Sequence, residues 1–167
     1  MNGHAFIFIA STGSGKTTLI TYLAEKGYPY ISDDKVLIDM DTLNVVVDIS
    51  PVHLRLDSIP ILRKYNCEIN GKELNIENFR RIVYTPNNVS SGNLPIGGLF
   101  FIKRSDTVNL CEKISKPEAV QLLMQNQHMH DANNSDCLKC AIKLANKCKR
   151  LSYFDMRYAA EILDGEK

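Results

Sequence analysis

Apolar and polar positions alternate in ways that mark out most of the elements. Ala5 to Ile9 is apolar at every position, as expected of a strand covered on both faces. Ser11 to Gly15 is small and flexible. Lys16 to Lys26 follows a helical period with Leu19, Ile20 and Leu23 on one face, and Gly27 supplies a stop. Tyr28 to Ser32 reads as a second strand that ends at Asp33-Asp34. Strand, glycine loop, helix and strand together predict a βαβ start and a parallel sheet.

Further along, Lys35 to Asp39 and Val45 to Ile49 are β-like runs around the turn-like Asp41 to Asn44, so a hairpin is expected. Asn70-Gly71 is a second hairpin signal, and Asn87 to Pro95 has loop composition. Leu99 to Ile102 reads as a buried strand. Ser115-Lys116-Pro117-Glu118 resembles a capping box, which predicts a helix from about Pro117 to Asn126. Gln125 to Ser135 reads as a polar connection. A helix over Asp136–Lys149, a strand near Leu151–Tyr153 and a last helix from Asp155 to about Gly165 complete the chain. The 167 residues fit one domain with one core, an α/β fold in which a mixed sheet is flanked by helices.

Charge and composition narrow the chemistry. Twenty Lys and Arg against nineteen Asp and Glu leave a formal charge of +1, so no global field favours nucleic acid or an anionic membrane. Any anion site must be local. No apolar run approaches the roughly 20 residues that span a bilayer, and Met1 to His4 carries no Lys or Arg of a signal peptide. The five cysteines, odd in number and irregularly spaced, suit a reducing compartment. These features predict a cytoplasmic protein.

The informative segment is Ala10-Ser11-Thr12-Gly13-Ser14-Gly15-Lys16-Thr17. It is the P-loop pattern of Gly, four residues and Gly-Lys-Ser/Thr, with Ala10 at the first glycine, a position that mainly needs a small residue. Gly13 and Gly15 let consecutive N–H groups face one anion, and the start of the following helix adds its partial positive charge. The expected ligand is a nucleoside triphosphate, MgATP, bound by Ser11 through Thr18. Lys16 would reach the β- and γ-phosphates, and the Thr17 hydroxyl would ligate Mg2+. Asp33-Asp34, at the end of the second expected strand, would supply one carboxylate to Mg2+ and the other as base for an attacking hydroxyl.

Gly13-Ser14-Gly15-Lys16-Thr17-Thr18-Leu19, then Lys26-Gly27-Tyr28, then Ser32-Asp33-Asp34, resembles the HPr serine kinase family, whose wider fold includes the phosphoenolpyruvate carboxykinases. The likeness is nearest to the short HPr-kinase-like proteins associated with peptide modification. It is strong over residues 5 to 34 and weaker through Pro51–Leu56 and Leu94–Phe101. It implies transfer of the γ-phosphoryl group of ATP to a serine hydroxyl in a peptide or small protein. Lys16 would be the phosphate lysine, Thr17 and Asp34 the metal side, and Asp33 the favoured base. Larger relatives carry a strand before the P-loop strand, with a histidine near the γ-phosphate. This chain starts almost on the P-loop strand, and His4 stands too near the loop to be that histidine. The resemblance therefore implies a minimal version, a fragment or one half of a two-component enzyme. The larger kinases' signature for binding their protein substrate is also missing, which argues against HPr itself as acceptor.

Arg55, Arg80, Arg81 and Arg104 are candidates to neutralise transferring phosphate, with Arg55 first because it lies in a segment of likeness. Cys137-Leu138-Lys139-Cys140 has metal-like spacing, but a structural zinc wants a second pair, and Cys148 is expected further along the same helix. His128 and His130 read as loop histidines, and Tyr153, Phe154 and Tyr158 as core or rim. Two other functions remain open at this level. A small-molecule kinase, for example of free serine, would normally bring an arginine-rich lid, and Asn87–Pro95 has no arginine. A nucleotide-binding regulatory module would need no aspartate pair. A partner subunit or a homo-oligomer completing the site is also compatible with the short N-terminus.

Overall fold

The computed structural model describes residues 3–76, 79–127 and 133–166. Its centre is a six-stranded mixed sheet. β1 (Ala5–Ile9) runs parallel to β7 (Asn93–Arg104), which runs parallel to β9 (Cys148–Tyr153). β8 (Leu110–Lys113) adds antiparallel to β9. At the other end of the path, β2 (Leu37–Ile38) and β3 (Asn44–Val46) form the expected hairpin, shorter than the sequence runs, and β3 pairs with the start of β7. A separate antiparallel sheet has the order β4 (Val52–Arg55), β6 (Phe79–Tyr84), β5 (Lys72–Ile76).

Helices cover both faces of the main sheet, so its central strands are apolar on both sides. On one face, α1 (Lys16–Glu25) and α5 (Met156–Gly165) pack over Phe100, Ile102 and Leu151. The small sheet and α2 (Ser58–Lys64) close that core through Val52, Leu54 and Leu62, all fully buried. On the other face, Ala5, Ile7, Ile96 and Leu99 form a second core with α3 (Lys116–Gln125), α4 (Asn134–Leu144) and the 3-10 turn Ala145–Lys147. The alternation along β7 slips at Gly97: Ala5 pairs with Ile96, but Phe6 pairs with Gly98. That bulge turns Ile96 toward the same core as Leu99. A Cβ at Gly97 would lie 2.9 Å from the Phe6 ring, so the aromatic can pack only against a glycine there.

Several expectations need correction. Tyr28–Ser32 does not form a second strand beside β1. It makes a single bridge, Tyr30 to Val89, and Tyr30 turns its side chain into the core to donate to the Ser50 carbonyl at 2.8 Å. Its main-chain partners are Asn88 and Ser90, not the sheet, so β1 takes β7 as its parallel neighbour instead. Asn70-Gly71 is not the turn that joins β5 to β6, because it precedes β5, which begins at Lys72. A Cβ at Gly71 would stand 2.5 Å from Ile82 Cγ2, so this glycine serves close strand approach. The loop expected to reach Pro95 ends sooner, because β7 begins at Asn93. The helix expected to reach Lys149 stops at Leu144; Cys148 and Lys149 begin β9, where pairing with Leu99 and Phe100 outweighs local helix preference.

Other expectations hold. The first strand and first helix lie where the apolar pattern puts them, and Gly27 ends the helix with φ of 91°. Ser115 caps α3 by accepting from the Glu118 N–H, and Asp155 caps α5. His128, Met129 and His130, with most of the expected polar connection, lie outside the described residues. No described helix is long and apolar enough to cross a membrane.

Candidate functional site

β1, β7 and β9 are mutually parallel, so their carboxyl ends share one edge of the sheet. Open α/β sheets bind ligands outside that edge. β1 delivers the glycine loop there. Gly13 and Gly15 have φ of 82° and 90°, the left-handed region open to glycine, and the Ser14 N–H donates to the Ser11 carbonyl at 3.2 Å. α1 starts immediately afterwards with neither a side-chain cap nor an acidic residue in its first turn. Helices α3, α4 and α5 are each capped, by Ser115, Asn133 and Asp155. The N–H groups at the positive end of α1 therefore have neither a side-chain cap nor an acid of the helix's own first turn to satisfy them.

Lys16, Thr17 and Asp33 meet at this point. Lys16 Nζ lies 3.2 Å from Asp33 Oδ1 and also donates to the Asp33 main-chain carbonyl. Thr17 Oγ1 donates to Asp33 Oδ2 at 2.8 Å. The Asp33 side chain is only 3% exposed and that of Lys16 20%. Asp33 is held there from outside the sheet. Tyr30 pairs its backbone with Asn88 and Ser90 and its hydroxyl with Ser50, and the Ser32 and Ser50 hydroxyls lie 3.0 Å apart. Burial first, and the Asp33 carboxylate second, push the Tyr30 phenol up to about 12. Asp34, the next residue, is exposed.

The remaining expected residues divide. Ser11, Thr12 and Gly13 form the exposed rim of the loop, while Ser14 to Thr17 are half-buried. Ser14 Oγ is buried and has no hydrogen-bond partner among the described residues. Thr18 is buried and commits its hydroxyl to Ser58 Oγ at 2.9 Å, so only its backbone N–H is left for a ligand. Arg55 is exposed on β4 and pairs with Asp57 at 3.0 Å, and Arg80 pairs with Glu73. Cys137 and Cys140 lie on α4 and Cys148 on β9, and no group of three His, Cys, Asp or Glu able to hold a metal occurs among the described residues.

Sequence reading undervalued two residues. Tyr153 ends β9, and its hydroxyl oxygen would lie 3.2 Å from a Cβ at Gly15, so it backs the loop directly. Arg104 ends β7 in register with Tyr153. Burial pushes the Tyr153 phenol up to about 12, and the Arg104 charge pulls it the other way. The available signal was position: each is the last residue of a parallel strand. Comparison with protein-family models, with curated proteins and with solved structures gave no match.

Proposed function

We propose that the chain is an ATP-dependent phosphotransferase of the HPr-serine-kinase-like type, acting on a hydroxyl of a peptide or small protein. The observation that carries this reading is the meeting of Lys16, Thr17 and Asp33 at the uncapped start of α1. A glycine loop, a lysine and a hydroxyl at a helix start suit a triphosphate, and a carboxylate beside the hydroxyl suits its metal.

The buried Ser14 hydroxyl, which has no partner among the described residues, fits this reading, because a phosphate oxygen would supply its acceptor. Mg2+ needs only one or two protein oxygens when phosphates and waters complete its shell, and Thr17 Oγ1 and Asp33 Oδ2 are such a pair. When bound, the metal would neutralise charge on the β- and γ-phosphates. Lys16 would leave Asp33 for the phosphates, and the loop N–H groups would hold the triphosphate in line. The acceptor oxygen bonds to the γ-phosphorus as the bond to the bridging oxygen breaks, ADP leaves with that electron pair, and an aspartate takes the hydroxyl proton. The geometry favours Asp33 on the metal side and the exposed Asp34 as base, exchanging the roles expected from sequence.

Calorimetric titration tests the reading. Wild-type protein should bind MgATP near micromolar, about −8 kcal/mol, and Lys16→Ala should not. Asp34→Asn should keep binding and lose phosphoryl transfer. Equal MgATP binding by wild type and Lys16→Ala would sink the proposal.

A further inference from the structure

β1 is hydrogen-bonded to one neighbour, β7, among the described residues. Its other edge faces a cavity of about 720 Å3. One wall is the continuous run Ala5–Ala10, and another is the continuous run 28–38. Ile20 and Leu23 of α1 enter from one face of the sheet, and Ala141 and Leu144 of α4 from the other. Walls contributed from both faces put the cavity beside the strand, in the plane of the sheet. It is a slot with β1 on one side and residues 28–38 on the other. Lys16, Asp33 and Asp34 line the same cavity.

The slot identifies its ligand by chemistry. An unpaired strand edge offers main-chain N–H and C=O groups that are best satisfied by another extended main chain. The apolar walls suit aliphatic side chains, whereas a free amino acid would set its ammonium and carboxylate against them at a desolvation cost. Residues 28–38 line the side of the slot where a second copy's sheet would have to lie, which favours a single strand over a whole sheet. The five residues of β1 span about 17 Å at the strand rise, so the occupant is an extended segment of about that length.

We propose that the slot beside β1 binds the acceptor peptide as an added β-strand, with apolar residues along β1 and the reacting serine at Asp34. This rests on the phosphotransferase reading and specifies its substrate: a serine within an extended aliphatic segment, not free serine and not a serine among charges. The transfer is the one written above, with the peptide serine oxygen as nucleophile and its proton passing to Asp34.

The probe is an array of heptapeptides with a central serine and flanks of valine, lysine or glutamate, incubated with wild-type protein and MgATP. Valine-flanked peptides should be labelled at least tenfold more than the charged ones and more than free serine. N-methylation of alternate backbone nitrogens should lower labelling at least tenfold, and methylation of the intervening ones should not. Ile20→Glu should cut labelling of the valine peptides tenfold while leaving MgATP affinity unchanged. Binding is read separately by hydrogen exchange: a valine-flanked peptide should slow exchange of alternate β1 amides at least tenfold. MgATP binding with no β1 protection by any valine-flanked peptide overturns the slot and leaves the nucleotide reading standing. Protection by MgATP alone that is confined to those alternate β1 amides likewise overturns it, since the nucleoside would then occupy the slot. A peptide that protects β1 but is never labelled overturns the substrate assignment and makes the slot a socket for a partner's strand. Loss of MgATP binding itself is the separate failure of the parent reading.

Discussion

Replacing Lys16 by Met keeps most of the side-chain volume and removes the charge beside Asp33. In the native arrangement the ammonium is 3.2 Å from Asp33 Oδ1, and the carboxylate is 3% exposed. At an effective dielectric near 20, that separation corresponds to about 5 kcal/mol of gross attraction. Desolvation of both ions offsets much of it, so the pair itself need not stabilise the fold strongly. Removing one partner is different, because it leaves a buried carboxylate whose main remaining donor is Thr17. Breaking fully buried pairs costs roughly 3–5 kcal/mol. Lys16 is one-fifth exposed, so a loss of about 2–3 kcal/mol is expected, or roughly 5–10 °C in Tm at this chain length. The assay is thermal and urea unfolding of wild type, Lys16→Met, Asp33→Asn and the double variant without nucleotide. The double variant should recover most of the loss, giving a coupling of about 1–2 kcal/mol. If Lys16→Met unfolds with wild-type stability, or the double variant is no better than Lys16→Met, the Lys16–Asp33 contact is not holding the loop.

Gly15→Ala forces a β-carbon into a φ of 90° and toward the Tyr153 hydroxyl. Stability should fall by about 1–2 kcal/mol, and calorimetry should show MgATP affinity at least tenfold weaker; unchanged affinity would mean that the loop tolerates a β-carbon. Thr21 is fully buried, and its hydroxyl has no partner among the described residues. Thr21→Val should therefore raise stability by about 1 kcal/mol in urea unfolding, whereas a comparable loss would reveal a hydrogen bond. Asp155 caps α5, and its hydrogen bond with Arg157 holds its carboxyl below the usual carboxylate range. A depressed native value means a contribution that is full above the ordinary aspartate pKa and lost as pH falls through the native one. Asp155→Ala should cost about 1 kcal/mol at pH 7, with the gap to wild type closing below about pH 4.

The segment from β1 through α1 was legible because local rules act there without competition. An all-apolar run, two glycines at positive φ and an amphipathic stretch before Gly27 need no distant partner to be recognised. The caps at Ser115 and Asp155 were legible for the same reason. Tyr28–Ser32 was misread because its β-favouring residues are equally at home in an extended segment pinned by Ser50, Asn88 and Ser90. Cys148 and Lys149 were placed in a helix because local preference carries no information about the register with Leu99 and Phe100. Helix α2 and strands β4 and β8 went unassigned, being too short for a period to emerge.

By itself the sequence determined an α/β chain with a glycine loop, a lysine and a threonine at a helix start, and two aspartates a short way downstream. These depend on residue type and near spacing, which a linear pattern records. Only the tertiary structure decided which aspartate meets Lys16 and Thr17, that Tyr153 backs the loop with Arg104 in register beside it, and that β1 pairs with β7 alone among the described residues, next to a walled slot. Each depends on which strand pairs with which and in what register. That choice is made by burial summed over the whole sheet, not by any one segment.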